Sequence, residues 1–193
     1  MAEHHAVNVR VVGSSPTLDS DVNMKINLED HYKPLDRHGE VFYRLLNVRN
    51  VEKDYSLEVN PDFQREYVWT QEQQARFVGH VLSGGDVAAL LMNEGPGGKW
   101  QTVLLMDGKQ RYTAIKDWLE GKFKALLPGG YEYHFDDVDN DARATLSNTG
   151  IRFGLVRLTR KEMLDYYIRL NSAGTVHSEA ELERVKKLLE KEQ

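Results

Sequence analysis

Residues 101–113 read Gln-Thr-Val-Leu-Leu-Met-Asp-Gly-Lys-Gln-Arg-Tyr-Thr, and this stretch decides how the chain folds. The apolar run that ends at Met106 predicts a buried strand, and Gly108 predicts a turn directly after it. The residues that follow have the apolar spacing of a helix over 109–120, and Gly121 is a typical helix end. The stretch therefore predicts a strand, a sharp turn and a helix.

The turn at Asp107-Gly108 has features of an anion-binding site. The start of a helix presents unpaired backbone N–H groups and the positive end of the dipole. Gly108 lets a ligand approach the backbone, Lys109 and Arg111 add positive charge, and Asp107 is a candidate ligand for magnesium or for a water. The alternative is an Asp107 cap followed by a solvated first turn. Basic residues at a helix start oppose the dipole, however, and an anionic ligand would explain that misfit.

The rest of the chain mixes strand and helix patterns. Strands are predicted over residues 6–12, 41–49, 55–59, 87–93, 131–135 and 151–158, and the one at 87–93 forms a hairpin with 101–106. Capping boxes predict helix starts at Thr70–Gln73, Thr159–Glu162 and Ser178–Glu181. We expect residues 1–50 to form N-terminal strands and a long connection, residues 51–193 to form the main domain, and the two parts to make one compact unit.

Gln64-Arg65 is a second candidate for contact with a ligand. It lies among Phe63, Tyr67 and Trp69, directly before the helix that begins after Thr70. Arg65 can reach a phosphate or stack on a base through its planar guanidinium. The alternative is that the aromatic residues only anchor the following helix in the core.

Arg169 and Asn171 are the third candidate, near the end of a predicted helix and shortly before Gly174. Both side chains can line the same anion pocket. The alternative is an ordinary helix C-terminus with a favourable cation and a glycine cap.

Composition excludes several classes of site. The chain has no cysteine, which excludes disulfides and thiolate zinc sites, and no apolar run approaches the length of a membrane span. The net charge of −5 restricts nucleic-acid contact to a local patch. The acidic run Asp136–Asp141 lacks the glycine and glutamate of an EF-hand, so we expect a solvated loop. The run Gly95–Gly98 lacks the ending of a P-loop.

The three candidate segments, in this order, resemble the N-terminal domain of GmrSD-type restriction systems, a family with a DGQQR signature in the wider ParB/sulfiredoxin-like superfamily. The resemblance covers about residues 55–185. The matching positions are Pro61, Gln64, Arg65, Tyr67, Trp69, Asp107, Gly108, Gln110, Arg111, Thr113, Arg169, Asn171 and Gly174. Lys109 departs from the signature, because it replaces the first glutamine.

The resemblance implies an α+β fold of the ParB/sulfiredoxin-like type, with a small mixed sheet packed against several helices. It implies binding and hydrolysis of a nucleoside triphosphate with Mg²⁺, coupled to DNA recognition, restriction or anti-restriction in the cytoplasm. The catalytic residues would be Asp107, which also ligates the metal, with Gln110 and Arg111. The phosphate-binding residues would be Gln64, Arg65, Gly108, Lys109, Thr113, Arg169 and Asn171.

The resemblance also raises the question of partners. Family members often continue into an HNH-type nuclease domain, and no such domain precedes Gln193, so we expect a stand-alone copy of phage or mobile-element type, or a subunit with a separate effector. Relatives of the ParB branch often form homodimers. Two alternatives stay open: a nucleotide-independent protein that binds or nicks DNA, and an interaction protein that inhibits a host defence complex.

Overall fold

The structure is a computed structural model that describes residue 35 and residues 37–146, 148–172 and 179–192. All of these residues belong to one compact unit, Leu35–Gln193. The predicted strand at 6–12, the start of the predicted capping box at Ser178, and Gly174 lie outside the described residues.

A five-stranded mixed sheet forms the centre of the unit. Its strand order is β1-β7-β3-β4-β2, and a separate two-stranded sheet is formed by β5 and β6. The strands are β1 (Arg37–Arg44), β2 (Leu57–Glu58), β3 (Leu90–Asn93), β4 (Val103–Asp107), β5 (Ala125–Leu126), β6 (Glu132–Tyr133) and β7 (Gly150–Val156). Since β1 is part of the main sheet, residues 37–44 are integral to this unit.

Strand directions in the main sheet are mixed. The pairs β1–β7 and β3–β4 are antiparallel, whereas β7–β3 and β4–β2 are parallel. The antiparallel pair β3–β4 confirms the predicted hairpin, and its connection contains a short 3-10 helix over Pro96–Gly98. The α+β class with a mixed sheet is therefore confirmed.

Within the described residues, six α-helices accompany the sheets. They are α1 (Asn50–Asp54), α2 (Gln71–Leu82), α3 (Lys109–Leu119), α4 (Asn140–Leu146), α5 (Arg160–Ser172) and α6 (Glu179–Glu190). Thr70 and Gln73 form the predicted capping box of α2, with reciprocal bonds of 2.8 and 3.3 Å. Thr159 and Glu162 do the same for α5, at 2.9 and 3.3 Å. Both predicted helix starts are confirmed.

Several local predictions were wrong in extent, among them the strand predicted over 55–59, of which the structure has only Leu57–Glu58. The strand predicted over 41–49 ends at Arg44, because Leu45, Val48 and Val51 are apolar at a spacing of three and are buried together by helical turns. The strand predicted over 131–135 is only two residues long. The run Asp136–Asp141 is not a plain loop, because it contains the end of a 3-10 helix (Phe135–Asp137) and the start of α4, where Asp139 Oδ1 accepts from the Ala142 N–H at 2.8 Å.

Apolar residues of the central strands alternate between two clusters, as a strand of period two requires. Leu90 and Met92 of β3 pack in the cluster that contains Trp118 of α3. Leu91, between them, packs in the cluster that contains Tyr167 of α5 and Val185 of α6. The sheet therefore has a buried cluster on each face. The end of β4, where the chain enters α3, lies at the junction of both.

Gly108 is the residue that makes this junction possible. Its φ is 98°, in the left-handed region, and a Cβ there would lie 2.4 Å from Leu90 Cγ. Gly130 also has a positive φ, of 83°, but a Cβ there would meet no atom within 4 Å. We expect Gly108→Ala to lower the free energy of unfolding by about 3 kcal/mol and Gly130→Ala by about 1 kcal/mol. Denaturant unfolding of both variants measures the difference, and equal losses would contradict the steric argument.

Candidate functional site

The start of α3 carries no cap from a side chain. Gly108 is the N-cap residue, and no side-chain hydrogen bond closes the first turn. Asp107 is therefore not the helix cap that the alternative interpretation of this turn required. The uncapped N–H groups and the helix dipole leave a positive helix end at the carboxyl end of β4.

The 61–69 loop, which runs from Pro61 to Trp69, lies against this helix start. Gln64 Nε2 donates to the carbonyl oxygens of Leu105 and Met106 at 2.8 and 2.9 Å, which fixes the loop to β4. The Gln64 amide thus joins the loop to two residues of β4 that lie 41 and 42 positions further along the chain.

Gln110 fixes the same loop to α3. Its Oε1 accepts from the N–H groups of Val68 and Trp69 at 3.0 and 3.1 Å, and its Nε2 donates to Glu66 O at 3.1 Å. All of these partners are backbone groups. The signature glutamine therefore positions the loop, whatever else it contributes to chemistry.

Lys109 is buried, with 6% of its surface exposed, and its Nζ donates to Arg65 O at 2.5 Å. Burial lowers the pKa of Lys109, and the nearby Glu66 carboxylate acts in the opposite direction. The ammonium therefore has a carbonyl partner within the protein. A cation at a helix start is unfavourable, and the Arg65 carbonyl partly compensates for this even when no anionic ligand is bound.

Arg111 is held in place by two contacts. Its Nη1 donates to Ala88 O at 2.6 Å, and its Nη2 donates to Asp107 Oδ2 at 2.9 Å. The Arg111 side chain is 19% exposed and the Asp107 carboxylate 43% exposed. The guanidinium is thus fixed at the edge of the turn, and one carboxylate oxygen of Asp107 takes no part in the ion pair.

These side chains surround one cleft of about 180 Å³. Its lining joins the 61–69 loop, the turn after β4 and the end of α5, and consists of Gln64, Arg65, Trp69, Met106, Asp107, Gly108, Lys109, Gln110, Arg111, Tyr167 and Asn171. Segments that are distant in sequence therefore meet at the start of α3.

Two predicted site residues do not line the cleft. Thr113 lies further along α3 and is half-buried. Arg169 pairs with Asp165 at 3.1 Å and is 57% exposed, whereas Asn171 lines the cleft and donates to Tyr167 O at 2.7 Å. Residues two apart on a helix point about 200° away from each other, so Arg169 and Asn171 cannot face the same side of α5.

Tyr167 is a lining residue that sequence reasoning missed. Its place four residues before Asn171 on α5 puts both on one helix face, and this spacing is the signal that was available. Burial raises the pKa of Tyr167, and a backbone hydrogen bond from Arg65 opposes that shift. The tyrosine therefore connects α5 with the 61–69 loop.

A larger open groove of about 540 Å³ lies between the end of α2 and the turn at 127–130. It contains none of the predicted residues, and its arginine, Arg76, is paired with Glu72 at 2.8 Å. We place the candidate site in the smaller cleft because the polar and cationic groups converge there.

The cleft contains one carboxylate that can ligand a metal. The described part of the chain holds no group of three or more His, Cys, Asp or Glu side chains arranged for a metal ion. Mg²⁺ in phosphate sites takes one or two protein carboxylates and completes its coordination with phosphate oxygens and water. Asp107 alone therefore fits a metal that arrives with a phosphate ligand, but not a resident metal centre.

Removal of the Gln110 amide tests its positioning role. Gln110→Ala leaves two N–H groups and one carbonyl without their partner, so we expect the free energy of unfolding to fall by about 3 kcal/mol. Gln71→Ala, at an exposed position on α2, is the matched control and should change it by less than about 0.5 kcal/mol. Denaturant unfolding of both variants provides the measurement. A loss at Gln110 no larger than the control's would show that the loop does not depend on this side chain.

Lys109→Met tests the burial of charge at the helix start. The pKa of Lys109 is lower in the folded protein than the ordinary 10.5, so the charged lysine destabilises the folded state. This destabilisation is complete at pH values below the lowered pKa, and it decreases as the pH rises from there toward 10.5. We expect the stability of Lys109→Met relative to wild type to decline as the pH rises toward 10.5, the ordinary pKa of lysine. Subtraction cancels the tyrosines, which titrate in both proteins. A difference that stays constant with pH would contradict a buried charge at Lys109.

No helix among the described residues is long and apolar enough to cross a membrane. No curated protein matches the chain significantly. Among solved structures, C-terminally truncated ParB from Caulobacter crescentus complexed with CTP-gamma-S matches with a TM-score of 0.40 and 14% identity. That match covers 72% of this chain and 56% of the ParB chain. The family model of the GmrSD restriction endonuclease N-terminal domain matches residues 44–153, more than half of the chain. The chain therefore belongs to the family of GmrSD restriction endonuclease N-terminal domains.

Proposed function

We propose that the cleft binds the phosphate groups of a nucleotide, as part of a restriction-related activity on DNA. The observation that carries the proposal is the convergence of the 61–69 loop, the Asp107-Gly108 turn and the end of α5 on the uncapped start of α3. A helix N-terminus with cationic and amide side chains around it is the arrangement that favours a phosphate.

The charge of the cleft supports an anionic ligand. Arg65, Lys109 and Arg111 line it, against the single carboxylate of Asp107. The whole chain has a net charge of −5, so this concentration of cations runs against the average of the protein. A small positive site in an acidic protein attracts a compact anion more readily than it grips a long polyanion.

The size of the cleft indicates which part of the ligand it holds. At about 180 Å³ it is smaller than the roughly 300–1,000 Å³ of pockets that enclose a whole drug-sized ligand. Phosphate groups fit such a space, and the sugar and base would extend over the rim. We assign the main contact with the phosphates to the Arg65 guanidinium, because it lines the cleft and can donate two hydrogen bonds at once. The amides of Gln64, Gln110 and Asn171 each donate to a backbone carbonyl of the protein as well.

Hydrolysis is the second part of the proposal. Asp107 Oδ2 accepts a hydrogen bond from Arg111, which fixes the carboxylate beside the Asp107-Gly108 turn. The other oxygen, Oδ1, is not part of this ion pair. We assign to Asp107 the orientation of a water for attack on the terminal phosphorus, with the displaced nucleoside diphosphate as leaving group. Mg²⁺ bound with the nucleotide would neutralise charge on its phosphate oxygens.

Arg65→Ala is the cleanest test of phosphate binding. The substitution removes the guanidinium but leaves the Arg65 carbonyl, so the bond from Lys109 to the loop is retained. We expect affinity for the best-bound nucleoside triphosphate to fall about tenfold, because a charge-assisted hydrogen bond is worth about 1.5–3 kcal/mol. Lys161→Ala, an exposed cation on α5, is the control. Titration with ATP, GTP, CTP and UTP, with and without Mg²⁺, measures affinity, and phosphate release from the same samples measures hydrolysis.

Titration with duplex DNA, with and without nucleoside triphosphate, separates the proposal from binding to DNA alone. A nucleotide-independent DNA-binding protein would bind duplex DNA equally with and without nucleoside triphosphate, and its affinity would fall steeply with salt. An interaction protein without chemistry would bind neither ligand. Lack of binding by every nucleotide, or equal affinity in the wild type and Arg65→Ala, would rule out the proposed function.

A further inference from the structure

We propose that Arg184, on α6, is a positioning residue for the cleft, because its guanidinium binds the backbone carbonyls of the 61–69 loop directly before Arg65. This inference rests on the proposed function, since it concerns the affinity of the cleft for a phosphate ligand. Arg184 lies beyond residues 44–153, which match the family model.

The contacts of Arg184 are to three consecutive backbone carbonyls. Its Nη2 donates to Phe63 O at 3.1 Å and to Gln64 O at 3.0 Å, and its Nη1 donates to Asp62 O. The planar guanidinium presents its N–H groups in a fixed fork, which suits a set of adjacent oxygens. One side chain thus satisfies the carbonyls of a segment that belongs to neither a helix nor a strand.

The loop is consequently held by two helices. From α3, Lys109 donates to Arg65 O, and Gln64 donates from the loop to the end of β4. From α6, Arg184 donates to the carbonyls of the three residues that immediately precede Arg65. The two cations thus bind four consecutive carbonyls, those of residues 62–65, and fix the backbone from which the side chains of Gln64 and Arg65 extend.

The packing of α6 keeps Arg184 in reach of the loop. Its neighbour Val185 is 1% exposed and packs in the same cluster as Phe63, which is fully buried. The Phe63 ring contacts Tyr167 edge to face, with centroids 5.1 Å apart. Arg160 of α5 adds an ion pair to Asp62 at 2.5 Å. The loop is therefore connected through both its backbone and its side chains to α5 and α6.

The charge of Arg184 also reaches the cleft. Burial is the main cause that lowers the pKa of Lys109, and the Arg184 guanidinium acts in the same direction. The residue itself is exposed overall, so its contact with three carbonyls is not a consequence of deep burial. An exposed arginine free to enter solvent gains little from an isolated surface ion pair. Arg184 instead donates to backbone carbonyls beside the cleft, as a positioning residue would.

Arg184→Ala is the primary test. We expect it to weaken binding of the best-bound nucleoside triphosphate about tenfold, because the origin of Arg65 is no longer fixed. Hydrogen exchange should accelerate over residues 62–66, including the Gln64 N–H, which donates to Pro61 O at 2.9 Å. Arg184→Lys, which keeps the charge but loses the fork, should recover only part of the affinity. Lys187→Ala, an exposed cation on the same helix, is the matched control.

Ile151→Val separates positioning from general stability. It removes buried apolar surface from β7, in the cluster that contains neither Phe63 nor Val185, so the melting temperature should fall while affinity, measured where the protein is folded, stays near wild type. Unchanged affinity in Arg184→Ala overturns the inference and leaves the proposed function intact. An affinity loss in Ile151→Val as large as in Arg184→Ala, or a loss without faster exchange at 62–66, also overturns it. Failure of the wild type to bind any nucleotide overturns the proposed function, and this inference with it.

Discussion

A loop without regular secondary structure can build a site only if its backbone polar groups are satisfied, and in this protein side chains supply that satisfaction. The 61–69 loop accepts hydrogen bonds from Gln110 and Lys109 on α3 and from Arg184 on α6, and it donates two to Gln110 Oε1. Unpaired backbone groups next to a buried core are costly, so these bonds decide where the loop lies. The cleft is the space that remains between the held loop and the start of α3.

This arrangement changes what the signature residues are for. The resemblance implied a catalytic role for Gln110 and Arg111 and phosphate binding for Lys109, and each also has a backbone partner within the protein. Their polar atoms shape the cleft before any ligand arrives, which is the kind of preorganisation that binding and catalysis both use. In the function that we propose, Arg65 contacts the phosphates and Asp107 orients the water.

Much of the fold could be predicted because local signals agreed with the tertiary structure. The strand, turn and helix around Gly108, and the capping boxes at Thr70 and Thr159, depend on residues within a few positions of each other. The end of β1 could not be predicted from its strand-like composition, because the burial of Leu45 and Val48 by helical turns is a tertiary choice. The same holds for the acidic run, where side chains cap short helices that no apolar pattern announces.

The candidate site shows the same division between local and distant causes. Motif order placed Gln64, Arg65 and Asn171 in one cleft correctly, but it also included Arg169, whose direction follows from the helical angle between residues 169 and 171. The partner of Lys109 was beyond the reach of sequence, since a bond to Arg65 O spans 44 positions. Lys109, which stands where the signature has a glutamine, donates to that carbonyl with a charge that burial opposes. Its ammonium therefore holds the loop and at the same time adds positive charge to the lining of the cleft.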